Sequence, residues 1–95
     1  MSTKNSLEID LDQTWRVHPQ VSIRPEPFGA LLYHFNNRKL SFLKDRRLLE
    51  VIQILPQSAS AREACIAVGI SADELPQFQR ALTTLRDSEI VVCDN

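Results

Sequence analysis

Cysteine and histidine, the side chains most typical of thiol nucleophiles, general bases and zinc ligands, are scarce in this sequence of 95 residues, which holds two of each. Cys65 and Cys93 lie far apart and lack the close cysteine or histidine partners of a zinc or iron–sulfur site. His18 and His34 fall on or beside predicted strands and have no matched nucleophile. Two glycines are too few for a phosphate-binding loop. These residues favour a binding protein over an enzyme, and we expect neither a cofactor nor a metal.

The charged residues are distributed unevenly, although the formal net charge is only −1. Residues 14–50 carry most of the basic side chains, whereas residues 1–13 and 51–95 are acidic overall. A basic middle segment attracts an acidic partner, and a set of solvated faces is the alternative explanation. Since the N-terminus lacks the apolar stretch of a secretory signal and no apolar run is long enough to cross a bilayer, we expect a cytoplasmic protein without a membrane partner.

The elements that would position a binding site begin with short strands. Apolar and polar residues alternate at 15–17 and again at 21–23, and we expect Pro25 and Pro27 to end the second strand. Residues 1–13 have no helix cap and no sustained periodicity. They form either an edge strand or a flexible arm that docks on another chain.

A β-hairpin is predicted at 30–35 and 38–43, because Asn36 and Asn37 tolerate the positive φ angles of a two-residue turn. Gly29, just before it, permits an unusual φ angle. In this register six side chains share one face and all but one are apolar: Leu31, Tyr33, Phe35, Arg38, Leu40 and Phe42. The opposite face is mixed and consists of Ala30, Leu32, His34, Lys39, Ser41 and Leu43. We expect a sheet covered on one side, with the apolar face turned inward.

Capping residues and helical periodicity predict three helices in the second half of the chain. They lie at 46–55, at 61–68 and from Ser71 or Asp73 to about Asp87, and a short β-like tail follows at 90–92. The order of elements predicts an α+β, winged-helix-like domain with a three-stranded antiparallel sheet followed by three helices. It covers residues 14–95, behind an N-terminal arm at residues 1–13.

Two kinds of binding fit this arrangement. A winged-helix sheet has an exposed edge strand beside a helix-lined groove, where an extended peptide can add as a further strand. An edge strand kept soluble by basic residues is the purely structural alternative. The other candidate is a winged-helix DNA-binding transcription regulator. Its recognition helix would be 71–87, which is acidic overall, whereas a helix that enters the major groove should be basic. We therefore expect no specific nucleic-acid partner.

Three segments of the first half resemble a known family. They are Trp-Arg-Val-His-Pro at 15–19, Val-Ser-Ile-Arg-Pro-Glu-Pro-Phe-Gly-Ala-Leu-Leu-Tyr at 21–33 and Leu-Ser-Phe-Leu at 40–43. In these segments the sequence is similar to the mycofactocin-biosynthesis peptide chaperones. Those belong to the precursor-peptide recognition elements, a wider group similar to the peptide chaperone of pyrroloquinoline quinone biosynthesis. The resemblance covers about residues 13–92, and its most specific part is 24–33.

The resemblance implies a three-stranded sheet on three helices. It also implies binding of a short, ribosomally made precursor peptide and its delivery to a radical S-adenosylmethionine enzyme. This chain is not that enzyme, because a radical cluster needs three cysteines. The peptide would lie along the third strand and against the third helix. The expected contacts are Arg38, Lys39, Leu40, Ser41, Phe42 and Leu43 on the strand, and Phe78, Leu82, Leu85 and Arg86 on the helix. A plain core role is the alternative for Phe78, Leu82 and Leu85.

A second surface would face the enzyme. Arg24, Glu26 and Phe28 lie in the segment 24–29, whose prolines fix an extended path, and a purely structural role is the alternative for this segment. Arg46 and Arg47 stand at the basic start of the first helix, where we expect them to lie outside the peptide groove and to face the enzyme. Homodimer formation stays open at this stage.

Overall fold

The described part of the computed structural model, residues 8–93, contains five strands and three helices. The strands are β1 (Trp15–Val17), β2 (Val21–Glu26), β3 (Gly29–His34), β4 (Leu40–Leu43) and β5 (Val91–Cys93), and the helices are α1 (Arg46–Ile54), α2 (Ala61–Val68) and α3 (Leu75–Asp87). β2, β3 and β4 form a three-stranded antiparallel sheet in that order, and β1 pairs with β5 in a separate two-stranded sheet. The predicted α+β class, a three-stranded sheet followed by three helices, is confirmed.

Two of the helices begin at the predicted residues and end at, or within one residue of, the predicted ends. The Asp45 carboxylate accepts the Arg47 N–H at 2.8 Å at the start of α1, and a short 3-10 turn at Leu55–Gln57 follows that helix. At the start of α2 the Ser60 hydroxyl accepts the N–H of Glu63 at 3.1 Å. The helix ends at Gly69, whose φ of 98° is left-handed. No helix within residues 8–93 is both long enough and apolar enough to cross a membrane.

The third helix begins at Leu75, later than the predicted start at Ser71 or Asp73. Ser71 and Glu74 do interact, since the Ser71 N–H and hydroxyl both donate to the Glu74 carboxylate at 3.3 Å. The Ser71 carbonyl, however, closes a separate turn by accepting the N–H groups of Glu74 and Leu75. Pro76 then stands in the first turn of α3, where the missing N–H costs least.

The register of the β3–β4 hairpin is largely as predicted. The pairs are Tyr33–Leu40, Leu32–Ser41, Leu31–Phe42 and Ala30–Leu43. The predicted pair of Phe35 with Arg38 is wrong, because Arg38 takes a left-handed φ of 63° and donates its N–H to the His34 carbonyl at 2.7 Å. The turn is therefore longer than two residues, and β4 begins only at Leu40.

The sheet faces the opposite way from our expectation. The buried face is the mixed one, with Ala30, Leu32, His34 and Leu43. On the other face Phe35, Leu40 and Phe42 are 59%, 54% and 58% exposed, and Leu31 and Tyr33 are half-buried. The expectation of an inward apolar face is therefore wrong, and most of the aromatic side chains of the hairpin point to solvent.

The connection between β4 and α1 explains which face is covered. Only Lys44 and Asp45 separate the two elements, so α1 folds straight back onto the sheet. Leu43, the last strand residue, points to that side, and the small Ala30 opposite it leaves room for the helix. α1 buries Leu48, Leu49, Val51 and Ile52, and it is the central core helix that its nearly continuous apolar surface predicts.

The β2–β3 hairpin depends on an unusual glycine. β2 continues through Pro25 to Glu26, beyond the predicted end, because the proline lies on an edge strand where its missing N–H breaks no ladder bond. Gly29 has a φ of 152°, and a Cβ atom there would collide with the carbonyl oxygen of Leu43. This residue therefore lets β3 and the end of β4 approach each other closely.

The described end of the N-terminal arm packs on the chain's own helices. Ile9 is buried, and its N–H and carbonyl each hydrogen-bond to an α3 side chain at 2.9 Å. The carbonyls of Leu11 and Gln13 accept the first two N–H groups of α2, which have no partner within the helix. Residues 1–7 lie outside the described residues, and the boundary of the arm at residue 13 stays a prediction.

Candidate functional site

β4 is an edge strand of the three-stranded sheet, with β3 on one side only. The His34 N–H donates to the Lys39 carbonyl at 2.9 Å, which sets the alternation of the antiparallel ladder. By that alternation Ser41 bonds to β3, whereas the backbone N–H and C=O groups of Leu40 and Phe42 point away from it. The edge thus offers donors and acceptors to a further strand.

α3 lies alongside this edge and runs antiparallel to β4. At one end Arg47, shortly after β4, pairs with Glu74 just before α3 at 2.9 Å. At the other end the Asn37 side-chain amide, shortly before β4, donates to the Ser88 carbonyl just after α3 at 3.3 Å. We call the space between β4 and α3 the groove.

An open depression adjoins the Arg47 end of the groove, between the start of α1 and α3. It measures about 70 Å³ and is lined by Asp45, Leu48, Gln77, Phe78 and Ala81. A pocket that encloses a small molecule is typically about 300–1,000 Å³ and buries most of its ligand. This shallower, open shape suits one or two side chains of an extended ligand better than a whole small-molecule substrate.

Arg47 holds the wall of this depression in place. Its guanidinium donates two hydrogen bonds to the Glu74 carboxylate, at 2.9 and 3.1 Å, and lies over the Phe78 ring at 5.2 Å from the centroid. The Arg47 hydrogen bond is the main reason that the pKa of Glu74 lies below its usual value. We expected Arg47 to lie outside the groove, and this is wrong, because its ion pair draws the side chain towards α3. Arg46, its neighbour, is exposed.

The helix residues predicted to contact the peptide differ in position. Phe78 lines the depression, whereas Leu82 and Leu85 are core residues, 0% and 4% exposed. Arg86 follows Thr83 by one helical turn, on the flank that binds the N-terminal arm, and it donates to the carboxylate of Asp87 at 3.0 Å.

Sequence reasoning missed the depression residues that flank Phe78, chiefly Gln77 and Ala81 on the helix. Ala81 lies one helical turn after Phe78, so it is a neighbour of that ring on the helix surface. Once Phe78 is predicted to line the groove, helical spacing predicts that Ala81 lies beside it.

The predicted strand residues occupy three environments. Arg38 and Lys39 are exposed in the turn before β4, with no ion pair among the described residues. Leu40 and Phe42 are exposed on the outer side of the sheet, and Ser41 is half-buried. Leu43 is 3% exposed and belongs to the core. A ligand strand on the edge would therefore contact the backbone of this segment and only some of its side chains.

The residues predicted for enzyme docking fall into two groups. Arg24 and Glu26 form an ion pair of 3.2 Å on the outer side of β2. Phe28, in the β2–β3 turn, is exposed, and its ring centroid lies 6.5 Å from that of Phe42. Arg46 and Arg47 lie at the start of α1, and the structure separates them into an exposed residue and a groove residue.

The two histidines pack against each other, and the hydrogen bonds of His34 are structural. His34 is fully buried, and its Nδ1 atom accepts the N–H groups of Asn36 and Asn37 at 3.2 and 3.4 Å, which shapes the turn before β4. Its Nε2 atom has no hydrogen-bond partner in the described residues, and its ring lies 4.5 Å from that of His18. Nothing in residues 8–93 brings three metal-ligating side chains together.

Comparison with known proteins shows where the chain belongs. It matches the model of the peptide chaperone MftB family over residues 14–92. It is 49% identical over 88 residues to the peptide chaperone MftB of Mycobacterium tuberculosis (93% of this chain, 81% of that protein). It is 47% identical over 97 aligned positions to that of Mycolicibacterium smegmatis (100% and 95%), and 49% identical over 83 residues to that of Mycobacterium ulcerans (87% and 76%).

No solved structure matches the chain significantly. The DNA-binding alternative gains no support from the family model or from the relatives. The family model covers well over half of the chain, and each relative is more than 30% identical. The chain belongs to the peptide chaperone MftB family.

Proposed function

We propose that this chain, a peptide chaperone of mycofactocin biosynthesis by its family, binds its precursor peptide as an added strand on β4. The observation that carries the proposal is the pair of outward-facing backbone units of Leu40 and Phe42 beside the groove. Main-chain hydrogen bonds to these units supply affinity. Alternate side chains of the peptide enter the groove and supply specificity.

The groove and its surroundings define the chemistry of the peptide. The depression is lined mainly by apolar atoms of Leu48, Phe78 and Ala81, so an apolar peptide side chain fits there. Arg38 and Lys39 stand at the other end of β4, exposed and without ion-pair partners among the described residues. The peptide that fits is extended, with an apolar anchor near Phe78 and an acidic side chain near the turn.

Strand addition predicts a particular pattern of amide exchange. On addition of a synthetic precursor peptide, the Leu40 and Phe42 amides of β4 should exchange more slowly, because they acquire hydrogen-bond partners. The Ser41 amide already bonds to β3 and should change little. Residue-resolved hydrogen–deuterium exchange by NMR measures all three.

β2, the other outer strand of the same sheet, is the internal control, and its amides should exchange as before. Protection that appears on β2 but not on β4 would place the peptide at the wrong edge. Binding with no change at Leu40 and Phe42 would rule out strand addition on β4.

Delivery to an enzyme is the second part of the proposal. The chain offers an open strand edge and a shallow groove, which suit a peptide, and we propose that it has no turnover of its own. Its partner is a radical S-adenosylmethionine maturase, and both proteins meet in the cytoplasm. An adaptor that binds peptide and enzyme raises the local concentration of one beside the other, so modest affinities suffice.

Reconstitution tests delivery. Purified maturase and precursor should react slowly or not at all, and addition of this chain should restore modification, followed by mass spectrometry. The chain with precursor alone should leave the peptide mass unchanged. If the maturase modifies free precursor equally well without this chain, the delivery role is wrong.

A further inference from the structure

On the solvent side of the three-stranded sheet, β3 and β4 present apolar side chains, whereas β2 presents Arg24 and Glu26. The proposed peptide site leaves most of the apolar part uncovered. We define the outer face by Phe28, Leu31, Tyr33, Phe35, Leu40 and Phe42. Four of these side chains are about half exposed or more, and the other two are half-buried. The rings of Tyr33 and Phe35 meet edge to face at 4.9 Å, and those of Phe28 and Phe42 lie 6.5 Å apart. Aromatic side chains held by such contacts lose little conformational freedom on binding.

Basic residues flank β4, the edge strand of the outer face. Arg38 and Lys39 precede it, and Lys44 and Arg46 follow it. All four are exposed, and none of them forms an ion pair within residues 8–93. Arg24 on β2 differs, since Glu26 neutralises it at 3.2 Å. An apolar surface with basic residues at both ends of β4, its basic rim, complements a surface that is apolar at its centre and acidic at its rim.

We infer that the outer face is the docking surface for the maturase, through an acidic-rimmed apolar patch on that enzyme. This inference rests on the delivery role proposed above and adds the surface that would perform it. A second copy of this chain is a poorer occupant, because a two-fold contact between outer faces would bring two basic rims together. The peptide is a poorer occupant too, because a strand on the β4 edge reaches Leu40 and Phe42 but not Phe28.

The position of the outer face supports this occupant. Leu40 and Phe42 direct their side chains to the outer face and their free backbone groups to the edge. An enzyme docked on the outer face therefore lies directly beside a peptide bound on β4. The two ligands occupy adjacent surfaces of one strand and do not compete for the groove.

The test is a double variant, Phe28→Ser with Phe35→Ser, which removes two exposed rings and leaves the β4 backbone unchanged. Ile66→Ser is the matched control, because Ile66 is 58% exposed on α2, outside the sheet. Affinity for the purified maturase is measured by biolayer interferometry, and affinity for labelled precursor by fluorescence anisotropy. Loss of interface anchors should weaken enzyme binding at least about thirtyfold. Peptide affinity should change less than about twofold, and Ile66→Ser should alter neither.

Urea unfolding shows whether the variants remain folded, and Phe35→Ser alone repeats the test with a smaller change. Unchanged enzyme affinity in these folded variants would overturn the inference, and so would an equal loss in Ile66→Ser.

Enzyme binding should also weaken as salt is added, and binding insensitive to salt would contradict an acidic rim. If sedimentation shows a dimer that the double variant converts to monomer with enzyme affinity unchanged, the outer face joins copies of this chain instead. Failure of the unchanged protein to bind precursor would refute the peptide site without affecting these results.

Discussion

Replacing Gly29 with alanine should destabilise the protein by more than about 3 kcal/mol. Its φ of 152° lies in a region that essentially only glycine occupies. The added methyl group would also collide with the Leu43 carbonyl oxygen, a backbone atom that cannot rotate away. β4 would have to move, and the groove would lose the strand that forms one side of it. The midpoint of urea unfolding measures the loss of stability.

Gly69→Ala is the matched control for this change. Gly69 also has a positive φ, 98°, but no atom lies within 4 Å of the position that a Cβ would occupy. Gly69→Ala should therefore lower the free energy of unfolding only by the cost of placing alanine in a left-handed conformation, about 1–2 kcal/mol. Equal losses of stability in the two variants would contradict the close approach between Gly29 and Leu43.

Filling the groove should abolish most peptide binding. Ala81 is half-buried in the wall of the depression, so a phenylalanine there occupies the space proposed for a peptide side chain. We expect Ala81→Phe to weaken precursor binding at least about thirtyfold, the effect of losing one interface anchor. Fluorescence anisotropy with labelled precursor gives the affinity, and circular dichroism confirms the helix content. Modification in the reconstituted reaction should fall with the affinity.

The control for Ala81→Phe is the same change at Ala67, which is exposed on α2. Ala67→Phe adds an equal ring to a helix surface outside the groove and should leave peptide binding unaltered. Normal affinity in a folded Ala81→Phe variant would show that the peptide does not enter the depression. The strand-addition result at Leu40 and Phe42 would stand independently of that outcome.

Local features were the ones that the sequence predicted well. The caps at Asp45 and Ser60 and the end at Gly69 depend on hydrogen bonds within a few residues, so they are readable without knowledge of the fold. The late start of α3 was missed because the same Ser71–Glu74 pair also fits a separate turn.

The orientation of the sheet was not predictable from alternation alone. A period of two tells which side chains share a face, but not which face the helices cover when both carry apolar residues. Leu32 and Leu43 lie on one face, and Leu40 and Phe42 on the other. The short connection from β4 to α1 determines that α1 covers the face with Leu32 and Leu43. Because this effect depends on packing between residues distant in sequence, alternation alone does not reveal it.

The groove was predicted in outline only. The strand and the helix that border it follow from the family resemblance. Phe78 lines the depression beside it, and its contact with a peptide stays a prediction. The burial of Leu82 and the Arg47–Glu74 ion pair depend on how α3 is rotated against α1. That rotation is set by packing across the whole core and has no local signal.

The pairing of β1 with β5 has a consequence for truncation of the chain. Trp15 stands directly opposite Cys93, so the first strand is paired with the last three-residue strand. The chain before β1 continues to Ile9, which is buried against α3. Deleting residues 91–93 should therefore release β1 and loosen the N-terminal arm, whereas β4 would keep β3 as its neighbour.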